Sequence, residues 1–143
     1  MKTTFLRLIC PVLLLVCLTS CDKEQEDKSS SLTWEECANI QLGDAYTSVD
    51  VPPEGTSYSL VCTNAMPQTG IWLSSVVMDE QPLALDKDKH IAEGEWGRIV
   101  CEDKYLNITI TPNTTGKVRV IDVTPTQIGY FYLFILTQQP VAK

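Results

Sequence analysis

Apolar and polar residues alternate along much of the chain after residue 45, and this alternation constrains the fold more than any other feature. The period of two is clear over residues 106–111, and we interpret residues 57–63 and 71–78 in the same way. Residues 117–124 and 130–137 are rich in β-branched or aromatic side chains. Because successive side chains of a strand point to opposite faces, this pattern predicts strands that bury one face.

Turn-forming residues separate these runs. Pro, Gly, Asn and Thr cluster at residues 52–55, 67–70, 112–116 and 124–129. The runs themselves have no convincing helical period, and about a hundred residues are enough for one hydrophobic core but not for two. We therefore predict an all-β domain, a β-sandwich of about seven to eight short antiparallel strands.

The first twenty residues have the layout of a secretory signal peptide. Lys2 and Arg7 supply positive charge, and residues 8–18 form an apolar run that only Pro11 interrupts. The run is too short to cross a bilayer as a helix, which takes about 20 apolar residues. We predict that residues 1–20 are removed on export.

The signal ends at residues 18–21 in Leu-Thr-Ser-Cys, which resembles the lipobox of bacterial lipoproteins. The resemblance implies that Cys21 carries diacylglycerol on its thiol and becomes the first residue of the mature chain. Two or three acyl chains would hold the protein on a membrane, whereas one chain binds only marginally. The membrane is thus the first predicted partner.

A charged block at residues 22–28 and three serines follow Cys21. Without apolar residues this stretch cannot repay its ordering entropy, so we predict a flexible tether. We assign residues 21–44 to the lipidated cysteine and tether, and residues 45–140 to the folded domain.

The acidic block also resembles the surface-export signal of Bacteroidetes lipoproteins, which implies display on the outer face of the outer membrane. An Asp directly after the lipidated Cys resembles an enterobacterial retention signal instead. A periplasm-facing position at the inner membrane therefore remains the alternative.

The net charge argues against nucleic acid as a partner. The chain carries 18 acidic and 11 basic residues, a formal charge of −7, and loss of the signal removes two of the bases. A nucleic-acid surface needs a basic patch that displaces counterions, and the sequence contains no cluster of Lys and Arg.

The C-terminal half resembles a known domain. Residues 113–123, with a following strand that ends at 135–139, resemble the closing hairpin of the BACON domain, the Bacteroidetes-associated carbohydrate-binding often N-terminal family. Residues 55–64 and 71–73 are similar to an earlier strand pair of that family. The resemblance implies an immunoglobulin-like fold and an association with glycan-degrading machinery at the cell surface, but it carries over no binding residue.

Three cysteines remain after the signal and the lipidated residue are set aside, so at most one disulfide can form within the chain. Cys62 and Cys101 each lie in a strand-like run and are the candidates for that bridge. The alternative is that both are buried as small apolar side chains.

Signals for catalysis are weak. The chain has no Gly-x-Ser-x-Gly motif and no phosphate-binding loop, and its one histidine, His90, is remote from the cysteines. Lysines interrupt the acidic residues at 86–90, which opposes a metal site. We predict no catalytic residues, no metal and no cofactor.

Aromatic residues are the groups that a sugar-binding surface needs. Trp96 lies between Gly94 and Gly97, which suggests a turn and an exposed ring with Glu95 and Arg98 as polar neighbours. The alternative is a Trp96 ring folded over the end of the sandwich. Trp72, in mid-strand, is expected in the core, and Trp34 precedes the assigned domain.

These patterns favour a non-catalytic surface lipoprotein that binds or displays, in contact with a glycan or a surface protein of a carbohydrate-uptake system. A structural or adhesive module that pairs with a protein partner at a sheet edge is the second hypothesis. A small secreted hydrolase is the third.

Overall fold

A computed structural model describes residues 30–142 of the chain. The predictions for the signal peptide, for Cys21 and for residues 22–29 lie outside the described residues. Within residues 30–142 the secondary structure consists of strands, bridges and turns, and none of these residues forms a helix long and apolar enough to cross a membrane.

The described residues form ten strands. Their bounds are β1 Tyr46–Val51, β2 Thr56–Val61, β3 Trp72–Met78, β4 Gln81–Pro82, β5 Ile91–Glu93, β6 Gly97–Glu102, β7 Tyr105–Ile110, β8 Arg119–Gln127, β9 Tyr130–Phe131 and β10 Leu133–Gln138. One sheet has the order β1-β10-β8-β3-β4, with β9 on β8, and the other has the order β2-β7-β6-β5. The predicted all-β sandwich is confirmed.

The strand order is similar to that of an immunoglobulin-like sandwich. β2, β7 and β6 correspond to its strands B, E and D, and β3, β8 and β10 correspond to C, F and G, but the first strand, β1, joins the sheet of the last strand. β1 runs parallel to β10, with Tyr46 opposite Leu133 and Val51 opposite Gln138. The predicted antiparallel pairing is found for the other paired strands, and β1 is the exception. An alternating sequence defines which face of a strand is buried, but it does not encode the direction of a partner this distant in sequence.

A β-bulge in β3 sets which residues of that strand enter the core. The pairing of β3 with β8 shifts between Leu73 and Ser75. Leu73 is buried before the bulge, and Val76 and Met78 are buried after it, so the inward face changes from odd to even positions. The strand consequently ends with Met78 in the core and Asp79 in the following turn.

The segment before β1 belongs to the domain. Leu32, Trp34 and Ile40 are all less than one-tenth exposed. Trp34 forms a β-bridge with Cys62, and the Glu35 N–H donates to the Val61 carbonyl at 2.9 Å. The boundary that we placed at residue 45 is thus too late, because the apolar side chains of this segment are buried on the sandwich rather than left in a tether.

The sandwich has two ends with different loops. At one end Ser31 forms a β-bridge with Phe131, and we call this end the N-terminal end. It also carries the loops at residues 102–105 and 127–132. The far end carries the turns at 79–80 and 94–97. β8 runs from Arg119 at the far end to Gln127 at the N-terminal end, a distance of about 27 Å for a strand of that length.

Candidate functional site

The far end contains a surface pocket of about 770 Å³. It lies where the turn after β3, the turn before β6 and the start of β8 meet. Its lining residues are Val77, Asp79, Glu80, Glu95, Trp96, Thr115, Lys117, Val118, Arg119, Val120 and Asp122. Volumes of roughly 300–1,000 Å³ are typical of small-molecule sites, so this pocket is the candidate site.

Trp96 is held inside the far end by its neighbouring glycines. A Cβ at Gly94 would lie 2.6 Å from the side chain of Met78, and one at Gly97 would lie 2.7 Å from Ile121. The turn can therefore pack directly on the core, which folds the indole ring inward and leaves Trp96 4% exposed. The expected solvent-exposed ring is wrong, and the ring folded over the end of the sandwich is the arrangement found.

Asp79 fixes the indole and the start of β8. Its Oδ2 accepts the Trp96 Nε1–H at 3.0 Å, and its Oδ1 accepts the Val120 N–H at 2.9 Å. Asp79 and Glu80 have φ values of 46° and 66°, the left-handed conformation required at both centres of a tight hairpin turn. Side chains other than Gly adopt it at an energetic cost, so this turn is strained where it lines the pocket.

Arg119 covers the Trp96 ring. Its guanidinium carbon lies 4.9 Å from the ring centroid, and its Nη1 donates to the Pro112 carbonyl at 3.4 Å. The residue is only 9% exposed. Among residues 30–142 the one ion pair joins Arg98 to Glu93, so the partners of the Arg119 guanidinium are the indole face and the Pro112 carbonyl.

The side chains that line the pocket include both acidic and basic groups. Four of its residues are acidic and two are basic, and Glu80 and Glu95 are exposed to solvent. Since Arg119 covers the indole face and the ring is buried, the pocket is built to accept and donate hydrogen bonds rather than to stack a sugar on Trp96. The excess of acids disfavours an anionic ligand.

The structure brings together two of the three binding residues predicted from the sequence. Glu95 and Trp96 line the pocket, but Arg98 does not. Arg98 lies one position along β6 from the buried Ile99, points away from the core and pairs with Glu93 at 3.7 Å. Its predicted role as a neighbour of the Trp96 ring is taken by Arg119.

The sequence did not identify Arg119 and Lys117 as pocket residues, nor Asp79 as the hydrogen-bond partner of Trp96. Arg119 lies 23 positions after Trp96, and no local pattern signals that β8 begins beside the turn at 94–97. Trp72 also differs from expectation: it is half-buried on the outer face of β3 rather than in the core.

The thiols of Cys62 and Cys101 are free in the structure. Cys101 pairs with Leu106 of β7, and β7 also separates it from β2, which Cys62 follows. Positions two strands apart are about 10 Å apart, beyond the roughly 7 Å that a disulfide spans between Cα atoms, so the candidate bridge is not formed. Burial raises the pKa of Cys101 to about 12 and also raises that of Cys62, which keeps both thiols protonated.

The charged segment at residues 86–90 does not form a metal site. Residues 30–142 contain no cluster of three His, Cys, Asp or Glu side chains that could hold a metal ion. Asp86 instead accepts the backbone N–H groups of His90 and Ile91, both at 2.6 Å, and these bonds lower its pKa. The acidic residues at 86–90 thus stabilise a turn.

Comparison with known proteins gives a likeness of fold. No protein-family profile matches the chain, and no curated protein matches it. A protein from Bacteroides thetaiotaomicron, solved by NMR, is similar in structure with a TM-score of 0.69 and 21% identity. The match covers 83% of this chain and 95% of that one. At this identity the likeness shows the fold alone.

Proposed function

We propose that this chain is a non-catalytic lipoprotein, anchored through Cys21 on the outer face of the outer membrane, whose far-end pocket binds a glycan. The domain is BACON-like in this proposal and serves a carbohydrate-uptake system. The alternative orientation, facing the periplasm, would leave the pocket chemistry unchanged.

One observation carries the proposal: the pocket lies at the end of the sandwich away from the N-terminal segment. Ser30 and Ser31 contact Phe131 at the N-terminal end, whereas Glu95 and Lys117 line the pocket at the far end. A domain attached through its N-terminal segment would present this pocket outward, toward extracellular polymers.

The groups in the pocket suit sugar hydroxyls. A hydroxyl both donates and accepts, and the pocket offers carboxylate acceptors at Glu80 and Glu95 beside a donor at Lys117. The Asp79 bonds and the Arg119–Trp96 contact hold the floor of the pocket in one arrangement. Such preorganisation lowers the cost of binding a flexible ligand.

A glycan array of the mature chain tests the ligand class, followed by titration of each hit against two variants. Glu95→Gln removes a pocket carboxylate and is expected to weaken binding by about 1 kcal/mol or more, which is several-fold in Kd. Glu93→Gln is the matched control, since Glu93 is an exposed neighbour on β5 that pairs with Arg98 outside the pocket. Absence of any hit, or equal affinity in both variants, contradicts the glycan proposal.

The anchor is tested separately. Cys21→Ala removes the thiol that lipid attachment requires, so metabolic labelling with a fatty acid should disappear from this variant. Label that persists on Cys21→Ala contradicts the lipoprotein part of the proposal and leaves the pocket untouched.

A protein partner at a sheet edge is the second candidate, and β1 favours it. β1 is the outermost strand of its sheet and pairs with β10 on one side. Its residues alternate between exposed and buried, with Tyr46 60% exposed. A strand from a partner could add to this edge. Replacing Ser48 with Pro would remove a backbone donor there and should abolish such pairing while leaving glycan binding unchanged.

A further inference from the structure

The most exposed apolar side chains of the described chain lie at its N-terminal end. Ile128 is 66% exposed, Tyr46 60% and Phe131 55%. Ile128 occupies the tip of the loop between β8 and β9, while Phe131 and Tyr46 lie on strands beside it. Exposed apolar groups that cluster in this way commonly mark a contact surface.

Strand positions place Tyr46 and Phe131 on one outward face, beside the loop that carries Ile128. Tyr46 is opposite Leu133 on the adjacent strand, and Leu133 lies two positions after Phe131 on the same outward face. Phe131 and Leu133 also line a shallow groove with Gly129, the residue after Ile128. We call these four residues, Tyr46, Ile128, Phe131 and Leu133, the apolar strip.

The chain leaves the described domain beside the apolar strip. The Phe131 N–H donates to the Ser30 carbonyl at 3.1 Å, and Ser31 bridges Phe131. Cys21 precedes Ser30 by nine residues. That length spans at most about 32 Å even when fully extended, so a lipid on Cys21 would keep the strip within that distance of the bilayer.

We propose that the apolar strip rests on the membrane surface and fixes the orientation of the domain. This inference depends on the lipid anchor of the proposed function. Tyr and Phe rings with aliphatic neighbours suit the interface between headgroups and acyl chains. With the N-terminal end on the membrane, the far-end pocket faces away from it.

An environment-sensitive fluorophore tests the orientation. Ile128→Cys labelled with a nitrobenzoxadiazole dye reports on the strip, and Val118→Cys is the matched control because Val118 is 50% exposed at the far end. Both variants carry Cys37→Ser to remove the partly exposed native thiol. The lipidated chain is reconstituted in phosphatidylcholine vesicles, which are neutral and do not repel this acidic protein. Emission at position 128 should rise several-fold and shift to the blue, with no change at position 118.

A second arm separates this inference from the anchor. The mature chain with Cys21→Ser and an N-terminal polyhistidine tag is held on the same vesicles by a nickel-chelating lipid. The same response at position 128 is expected, and it would support the strip even if Cys21 carried no lipid. Unchanged emission at both positions on vesicle-bound protein overturns the proposal. A blue shift at position 128 that depends on protein concentration and not on vesicles also overturns it, because it indicates a second copy of the chain on the strip.

Discussion

The two ends of the sandwich each bury a tryptophan, but they do so with opposite chemistry. At the N-terminal end Trp34 packs edge-on against Tyr132 and Phe134, with ring centroids 5.9 and 5.1 Å away. Its Nε1–H has no hydrogen-bond partner among residues 30–142. At the far end the Trp96 Nε1–H donates to Asp79, and Arg119 covers its ring.

The difference distinguishes a packed hydrophobic core around Trp34 from a candidate ligand site around Trp96. An aromatic cluster such as that around Trp34 gains its free energy from buried area and ring contacts. The Trp96 environment instead places a carboxylate, a guanidinium and a strained turn beside open solvent, an arrangement that stability alone does not require. In the proposed function, the far end therefore binds the ligand, whereas the N-terminal end attaches the domain to the membrane.

The largest expected effect follows removal of the aromatic cluster. Trp34→Ala should lower the free energy of unfolding by about 3–5 kcal/mol, because a large buried ring is lost and a cavity remains. Urea denaturation followed by circular dichroism measures it. A loss below about 1 kcal/mol would place residues 31–40 outside the cooperative unit and restore the domain boundary near residue 45.

Two matched Trp→Phe variants compare the ends directly. Trp96→Phe leaves the Asp79 carboxylate without its indole donor and should cost about 1–3 kcal/mol. Trp34→Phe removes an N–H that has no partner, so its cost should be smaller by about 1 kcal/mol or more. Equal costs in the same denaturation experiment would mean that the Asp79 bond contributes nothing at the far end.

Thiol reactivity tests how tightly the N-terminal end is closed. Burial raises the pKa of Cys101 to about 12, and the pKa of Cys62 is raised for the same reason. A raised thiol pKa means that little thiolate is present at pH 8, so iodoacetamide should modify the partly exposed Cys37 first and the other two only in denaturant. Mass spectrometry after timed labelling gives the order. Rapid labelling of Cys62 in the native protein would contradict the burial of this thiol beside Trp34.

The smallest effect is expected on the surface of the N-terminal end. Phe131→Ser changes a side chain that is 55% exposed, so the free energy of unfolding should move by no more than about 0.5 kcal/mol. Thermal melts of this variant beside the parent chain measure the change. A markedly lower melting temperature would show that Phe131 packs within the domain and is not available to a membrane.

The alternating sequence predicted most strands because burial of one face imposes a period of two. It predicted the runs around β2, β3, β7, β8 and β10, whose ends lie within a few residues of the observed ones. The parallel pairing of β1 could not be predicted, since partner and direction depend on contacts between residues far apart in sequence. The bulge in β3 could not be predicted from the sequence either, because both faces of this strand contain apolar residues.

The candidate site was predicted only in part, and the two tryptophans explain why. Gly94 and Gly97 were interpreted as a turn that exposes Trp96, but a missing Cβ equally allows close packing on Met78, and only the three-dimensional structure distinguishes these. Trp72 was expected inside because of its apolar neighbours, yet it lies on the outer face of its strand. Arg119 contacts Trp96 from β8, and Asp79 contacts it from the turn after β3, so no local sequence motif indicates these contacts.

The central claim, that the far end is the ligand-binding end, is tested most directly by NMR. A ¹H–¹⁵N correlation spectrum of the mature chain resolves the indole N–H signals of Trp34, Trp72 and Trp96 while a glycan identified on the array is added. We expect the signals of the Trp96 indole and the Val120 amide, both bonded to Asp79, to shift together to saturation while the signal of the Trp34 indole stays in place. Saturable shifts confined to β1, with the Trp96 signal unmoved, would contradict it.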